Sequence, residues 1–200
     1  MNNQPRSMPL VKTFEIMRTL ISSSPRVLLT LLVGAGVVGL IGCAPVAKHP
    51  SWSAVQQTIR REFPTVEQIS TQQLSDWLTT SDEPPPLLLD IRQPEEYAVS
   101  HLHDAILATT LADALAVLEK GDKDRRIVVY CAVGYRSSAL AEKLMQAGYT
   151  RVYNLEGSLF AWANEGRPVY QGSQSAERVH PYDSNWGKLL VRSRRSELAR

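Results

Sequence analysis

The chain has 200 residues, of which 44% are hydrophobic and 21% charged, and its formal net charge is +2. This length and composition describe a folded protein of one domain, or of one domain with extensions. The only two cysteines, Cys43 and Cys131, exclude a disulfide framework and a zinc site built from four cysteines.

Residues 1–43 have the pattern of an export signal. A polar segment with four basic residues precedes an uncharged apolar run from Val27 to Cys43. That run is somewhat short for a spanning helix, which needs about 20 residues. Its end, LIGC at Leu40 to Cys43, resembles the bacterial lipobox, in which the cysteine is lipidated and becomes the first residue of the mature protein. We therefore predict lipidation of Cys43, with an uncleaved signal anchor as the alternative.

Both alternatives predict the same location for the rest of the chain. The basic residues lie before the apolar run and stay on the cytoplasmic side. We therefore expect a protein of the bacterial cell envelope, anchored in a membrane by its N-terminus, with the domain on the extracytoplasmic side.

Residues 44–65 are predicted to be a tether followed by a short amphipathic helix. The tether contains two prolines and little periodicity. Apolar residues then recur at spacings of three and four, which is typical of a helical stripe: Trp52, Val55, Ile59 and Phe63. The stripe could lie on lipid, but we expect it to pack on the domain.

From residue 66 onward, short apolar runs alternate with helical patterns. The predicted strands are 66–69, 87–90, 105–108, 127–130 and 152–153, and the predicted helices are 70–80, 94–97, 111–118, 137–147 and 159–164. This alternation predicts an α/β fold with a parallel five-stranded sheet and helices on both faces.

Cys131 directly follows the strongest predicted strand. In parallel α/β sheets, ligands bind beyond the carboxyl ends of the strands. Gly134 permits a tight turn, and a helix N-terminus follows it, so backbone N–H groups can form an anion cradle that favours the thiolate. The residues that form this turn are Ala132, Val133, Gly134, Tyr135 and Arg136.

Four ordered motifs then reveal a family resemblance. CAVGYRSS, from Cys131 to Ser138, resembles the active-site loop of rhodanese-like sulfurtransferases, commonly Cys-Arg-x-Gly-x-Arg-Ser. LLLDIRQPEEY, SHLHDAI and YNLEGSLFAW are similar to the family's other motifs and occur in the same order. The resemblance covers about residues 66–169, and it implies a rhodanese-like domain at 66–170.

The resemblance implies a sulfurtransferase mechanism. Cys131 would take sulfane sulfur from a small sulfur-containing anion such as thiosulfate, become a persulfide and pass the sulfur to a thiol acceptor. The loop amides would hold the anion, Arg136 would add charge or brace the loop, and Asp90 and Arg92 would support the loop and the fold. Glu96 is expected to cap its helix. The mechanism needs no metal and no organic cofactor.

The loop also has features that bear on the alternatives. From Cys131 to Arg136 it has six residues. This length favours a sulfur substrate over phosphate or arsenate, since the loops of related phosphatases have seven residues. Ala132 stands where the family often has arginine, which removes a positive charge and weakens the case for efficient thiosulfate use. The alternative function is a non-enzymatic rhodanese-like module that binds a partner or senses sulfur or redox state.

The basic C-terminal tail, 171–200, mixes aromatic and basic residues. It could touch anionic lipid, dock on the domain or stay solvated. Residues 51–170 carry 16 acidic and 11 basic side chains, which argues against nucleic acid as a partner of an exported domain. The oligomeric state is left open by the sequence.

Overall fold

The computed structural model describes residues 50–79, 82–118 and 123–198. Cys43 and the apolar run before it lie outside the described residues, as does residue 80, the predicted end of the helix 70–80. Within the described ranges, no helix combines the length and the apolar character needed to cross a bilayer.

The elements alternate between helix and strand through most of the chain. In chain order they are α1 (Trp52–Glu62), β1 (Glu67–Ile69), α2 (Thr71–Thr79), β2 (Leu87–Asp90), α3 (Pro94–Val99), β3 (Ile106–Leu107), α4 (Leu111–Leu118), β4 (Ile127–Tyr130), α5 (Tyr135–Gln146), β5 (Val152–Leu155), α6 (Ser158–Asn164), β6 (Val169–Gln171) and β7 (Gln174–Ala176), followed by two 3₁₀ turns, Trp186–Leu189 and Arg192–Arg194.

Strands β1 to β5 form one parallel sheet in the order β1-β5-β4-β2-β3. This confirms the predicted α/β fold with a five-stranded parallel sheet. All four residues of β4 and all four of β2 are buried. Because successive side chains of a strand point to opposite faces, both faces of the central sheet are covered. In the register of the sheet, Asp90 lies beside Tyr130, so β2 and β4 end at the same edge.

Helix α1 packs on the domain, as expected. The hydroxyl of Ser51 accepts a hydrogen bond from the backbone N–H of Ala54 and caps the helix. Three of the four residues of its apolar stripe are buried, since Val55, Ile59 and Phe63 are each exposed by 9% or less, and Trp52 is half-buried. The alternative placement of this stripe on lipid is therefore not what the structure shows.

The C-terminal tail also docks on the domain. Strands β6 and β7 form an antiparallel hairpin, and residues 171–198, called here the C-terminal extension, comprise the end of β6, all of β7 and the segment that follows. Val179 and Leu190 are 0% and 1% exposed. The side chain of Asn164, at the end of α6, donates to the carbonyl of Leu189 and accepts from the N–H of Val191. Of the three readings of the tail, docking is the one observed.

Candidate active site

Cys131 lies directly after β4, at the carboxyl end of the central strand. The residue is only 1% exposed. Its backbone N–H donates to the hydroxyl of Ser158, which in turn donates to the carbonyl of Leu155 at the end of β5. The first residue of the loop is thereby fastened to the neighbouring strand, so the position of its sulfur is fixed by the sheet.

The loop turns back so that hydrogen-bond donors face the sulfur. The backbone N–H of Gly134 donates to Sγ at 3.2 Å, and the hydroxyl of Ser137 donates to it at 3.4 Å. Gly134 has φ of +107°, which a residue with a side chain rarely adopts. These donors and the N-terminus of α5 supply partial positive charge at the sulfur.

Helix α5 begins at Tyr135, two residues earlier than the predicted start at about residue 137. Tyr135 and Arg136 are therefore helical, and the irregular part of the loop is shorter than expected. The reason is that Gly134 itself is the N-cap and turns the chain directly into the helix. Ala132 and Val133, the two residues before it, are 5% and 6% exposed.

Arg136 is held by a carboxylate from another element. Its two terminal nitrogens, Nη1 and Nη2, donate to Oε2 and Oε1 of Glu96, each at 3.0 Å. The side chains are 13% and 1% exposed, respectively. Glu96 also accepts from the backbone N–H of Gln93, so its expected capping role in α3 is confirmed. Its pairing with Arg136 was not foreseen from the sequence.

The surroundings of Cys131 favour its thiolate. Burial alone would raise the pKa of this thiol. The Arg136 guanidinium, the Ser137 hydroxyl and the backbone N–H groups of Ser137 and Gly134 outweigh burial and hold the pKa below its ordinary value. The thiol is thus placed as an activated nucleophile, since the thiolate is the reactive form.

Asp90 and Arg92 form an ion pair in which neither side chain is exposed. The Arg92 guanidinium donates to the Asp90 carboxylate at 2.6 to 3.1 Å, and also to the carbonyls of Glu96 and Ser100. Those carbonyls lie within and just after α3. Arg92 therefore fixes the helix that carries Glu96, and through Glu96 it positions Arg136.

Two segments outside the predicted loop also contact it. The Tyr135 hydroxyl donates to Glu62 of α1, and its ring packs edge-on against Phe63. The Cζ atom of Arg136 lies over the ring of Tyr182 from the C-terminal extension, 4.9 Å from the ring centroid. No spacing rule links these residues to Cys131, so neither contact could be predicted from the sequence.

Among residues 50–79, 82–118 and 123–198 there is no cluster of three or more His, Cys, Asp or Glu side chains suited to a metal ion. The chemistry that the described site offers is that of a polarised thiolate beside a cation and backbone donors. Such a group can attack an electrophilic atom and carry a covalent intermediate.

Fold and site together define an α/β protein in which the one cysteine of the described residues lies in a loop after the central strand, placed to act as a nucleophile. The family model of the rhodanese-like domain matches residues 70–165. A sulfurtransferase of Allochromatium vinosum is 38% identical over 104 residues, covering 52% of this chain and 94% of that protein. The chain belongs to the rhodanese-like domain family.

Further relatives support a function of the sulfurtransferase type. The thiosulfate sulfurtransferase GlpE of Coxiella burnetii is 32% identical over 76 residues, covering 38% of this chain and 70% of that protein. The crystal structure of a thiosulfate sulfurtransferase from Pseudomonas aeruginosa has a TM-score of 0.50 at 20% identity, covering 69% of this chain and 26% of that one. This structural likeness shows the fold.

Proposed function

We propose that the protein is a sulfurtransferase that moves sulfane sulfur from a small anionic donor such as thiosulfate to a thiol acceptor, through a persulfide on Cys131. The observation that carries the proposal is the convergence on one sulfur atom of the Gly134 N–H, the Ser137 hydroxyl and the charge of Arg136. These groups stabilise a thiolate and also the negative charge of a bound anion.

The proposed reaction has two displacement steps. The Cys131 thiolate attacks the outer sulfur of thiosulfate, a sulfur–sulfur bond forms, and the sulfur–sulfur bond of thiosulfate breaks as sulfite leaves with its electron pair. An acceptor thiolate then attacks the terminal sulfur of the persulfide and releases the Cys131 thiolate. The two half-reactions predict ping-pong kinetics.

The loop charge bears on the choice of donor. Ala132 supplies no cation where the family often has arginine, and the charge of Arg136 is shared with Glu96. We therefore expect turnover of thiosulfate with a high KM, while the persulfide itself forms normally with donors that carry less charge.

The test is a thiosulfate:cyanide assay on the full chain in detergent, with Cys131→Ser as the inactive variant and the mass of the Cys131 peptide measured after exposure to donor. A gain of about 32 daltons, one sulfur atom, is expected in the wild type and absent in the variant. If no sulfane donor gives turnover or this adduct, the enzyme proposal fails, and a non-enzymatic binding or sensing module is the function that stands.

We further propose that the domain lies at the bacterial cell envelope, anchored by a lipid on Cys43 and facing away from the cytoplasm. Support comes from the basic residues before the apolar run and from LIGC at its end. Palmitate labelling in a bacterial host, compared between wild type and Cys43→Ala, tests the anchor. Equal labelling of the two proteins would exclude a lipid on Cys43 and would favour an uncleaved signal anchor.

A further inference from the structure

The C-terminal extension lies beyond the residues that the family model matches, which end at 165. Its central part is fixed to the domain. Val179 is fully buried, and its backbone N–H and carbonyl pair with Arg194 and Ser196. Pro181 and Trp186 are buried as well. The residues between them therefore occupy a defined place beside the active-site loop.

Tyr182 is the residue of this segment that reaches the site. The Cζ atom of the Arg136 guanidinium lies over its ring, 4.9 Å from the ring centroid. That distance lies within the range in which a cation and an aromatic face attract each other. Glu96 meanwhile holds one edge of the same guanidinium through Nη1 and Nη2.

These two contacts restrain different motions. A two-point pairing with a carboxylate fixes one edge of the guanidinium, but it leaves the plane free to tilt about the line through the two oxygens. The Tyr182 ring, over which Cζ lies at 4.9 Å, limits that tilt. The charge of Arg136 affects Cys131 through space, so its effect depends on the distance that these contacts maintain.

The backbone of Tyr182 has φ of +65°, a conformation that residues with side chains seldom adopt. Neighbouring contacts hold it there. The N–H of Tyr182 donates to Nδ1 of His180, and the Asp183 carboxylate accepts from the N–H groups of Asn185 and Trp186. The fold thus maintains an unfavourable backbone conformation at the residue over whose ring Cζ of Arg136 lies.

We propose that Tyr182 is a positioning residue of the sulfur-transfer site, whose ring keeps the Arg136 guanidinium in the orientation that supports the Cys131 thiolate. The catalytic consequence rests on the proposed function, whereas the effect on the thiol does not. The charged or titratable groups that act on this thiol, directly or through Arg136, are Arg136 from α5, Glu96 from α3 and Tyr182 from the extension.

The experiment compares four full-length proteins in detergent: wild type, Tyr182→Ala, Tyr182→Phe and Tyr170→Ala. Tyr170 is the matched control, because its ring packs on His103 instead of Arg136. The rate at which iodoacetamide alkylates Cys131 is followed by peptide mass from about pH 5 to pH 10, which reports the thiolate independently of sulfur transfer and of Cys43.

We expect Tyr182→Ala to move the midpoint of the alkylation profile to higher pH and to slow alkylation at pH 7 about three- to tenfold. Tyr182→Phe, which keeps the ring, and Tyr170→Ala should match the wild type. In the thiosulfate assay, kcat/KM of Tyr182→Ala should fall about five- to tenfold, mainly through KM, because the charge of Arg136 acts at Cys131, where the anionic donor would bind.

Three results would overturn the inference: an unchanged profile in Tyr182→Ala, a Phe variant that behaves like the Ala variant, or an equal shift in Tyr170→Ala. Thermal unfolding of all four proteins identifies any general loss of structure. If the profile shifts as expected but the wild type transfers no sulfur, the positioning role stands and the proposed function fails.

Discussion

The guanidinium of Arg136 and the carboxylate of Glu96 meet edge to edge, with both nitrogen–oxygen distances at 3.0 Å. Glu96 is 1% exposed, so almost all of its hydration is replaced by this pairing and by the backbone N–H of Gln93. Burial alone would raise the pKa of Glu96, but Arg136 and the other donors hold it below its ordinary value. The pair therefore ties α3 to the active-site loop.

Replacing Arg136 by methionine should disturb both stability and reactivity. The uncharged side chain is similar in length, but it leaves the Glu96 carboxylate buried without its cation, which costs about 3 kcal/mol of unfolding free energy. The pKa of Cys131 should rise, because the main source of positive charge near the thiol is gone. Urea unfolding and the pH profile of alkylation measure the two effects.

Arg151→Met is the control for that variant, because Arg151 pairs with Glu83 on the surface, where the side chains are 39% and 52% exposed. Exposed pairs contribute little to stability, so this variant should unfold close to the wild type and leave the thiol unchanged. Equal destabilisation by the two substitutions would contradict the importance assigned to the buried pair.

Gly134→Ala should impair the site more than a comparable change elsewhere. The new methyl group would require an unfavourable backbone conformation and would lie 3.2 Å from Nδ2 of Asn154 and 3.3 Å from Cδ1 of Ile59. We expect a loss of more than about 1 kcal/mol in stability and at least a tenfold loss in persulfide formation, as the N–H that donates to Sγ moves. Urea unfolding and the mass of the donor-treated Cys131 peptide provide the measurements.

Gly148→Ala provides the comparison, since Gly148 has φ of +91° and open space where the methyl group would stand. It should lose stability through backbone strain alone and keep its rate of persulfide formation. A Gly134→Ala protein as active as Gly148→Ala would show that the loop amides are not needed in their present positions.

The lowered pKa of Cys131 predicts a specific dependence of stability on pH. Between that pKa and the value of about 8.5 expected in the unfolded chain, the folded thiol has lost its proton while the unfolded thiol retains it. The unfolded state then binds more protons, so the contribution of Cys131 to stability rises with pH across this interval.

This contribution can be isolated by comparing the wild type with Cys131→Ser, because the other titrating groups are common to both. The difference in urea-unfolding free energy should grow as the pH rises and level off above about pH 8.5. If this difference in free energy shrinks over the same pH range, then burial dominates over Arg136 and the hydrogen-bond donors in setting the pKa of the thiol.

Docking of the C-terminal extension can be tested with two adjacent residues. Leu190 is 1% exposed and Val191 is 44% exposed. Leu190→Ala should cost about 2 to 4 kcal/mol, whereas Val191→Ala should cost well under 1 kcal/mol. Similar urea midpoints for the two variants would show that the extension is not packed as described.

The part of the fold that could be predicted from the sequence is the part encoded locally. The apolar residues 127–130 identify the central strand, and the glycine three residues after Cys131 identifies the turn. Both signals arise from neighbouring residues and from the burial they require. The alternation of strands and helices along the chain is also a local pattern, so it was sufficient to predict the parallel sheet.

Contacts between distant segments could not be read in this way. Glu96 and Arg136 are 40 residues apart, and nothing in their spacing joins them. Helix α5 starts two residues before the position that the pattern predicts, because its N-cap is a glycine and not one of the polar residues whose side chains cap a helix. The mixture of aromatic and basic residues in the tail left docking as one of three alternatives and did not indicate where the tail docks.

The burial of Cys131 has a kinetic consequence. With 1% of the residue exposed, a molecule in solution reaches the sulfur only after some of the surrounding structure moves aside. When such a movement is slower than the bond-making step, as with a fast acceptor but not with the slow alkylation by iodoacetamide, the overall rate follows the movement and hardly changes with the intrinsic reactivity of the acceptor. Thiol acceptors of very different nucleophilicity would then react at nearly the same rate. Local opening of the structure around the central strand would control the rate of sulfur transfer.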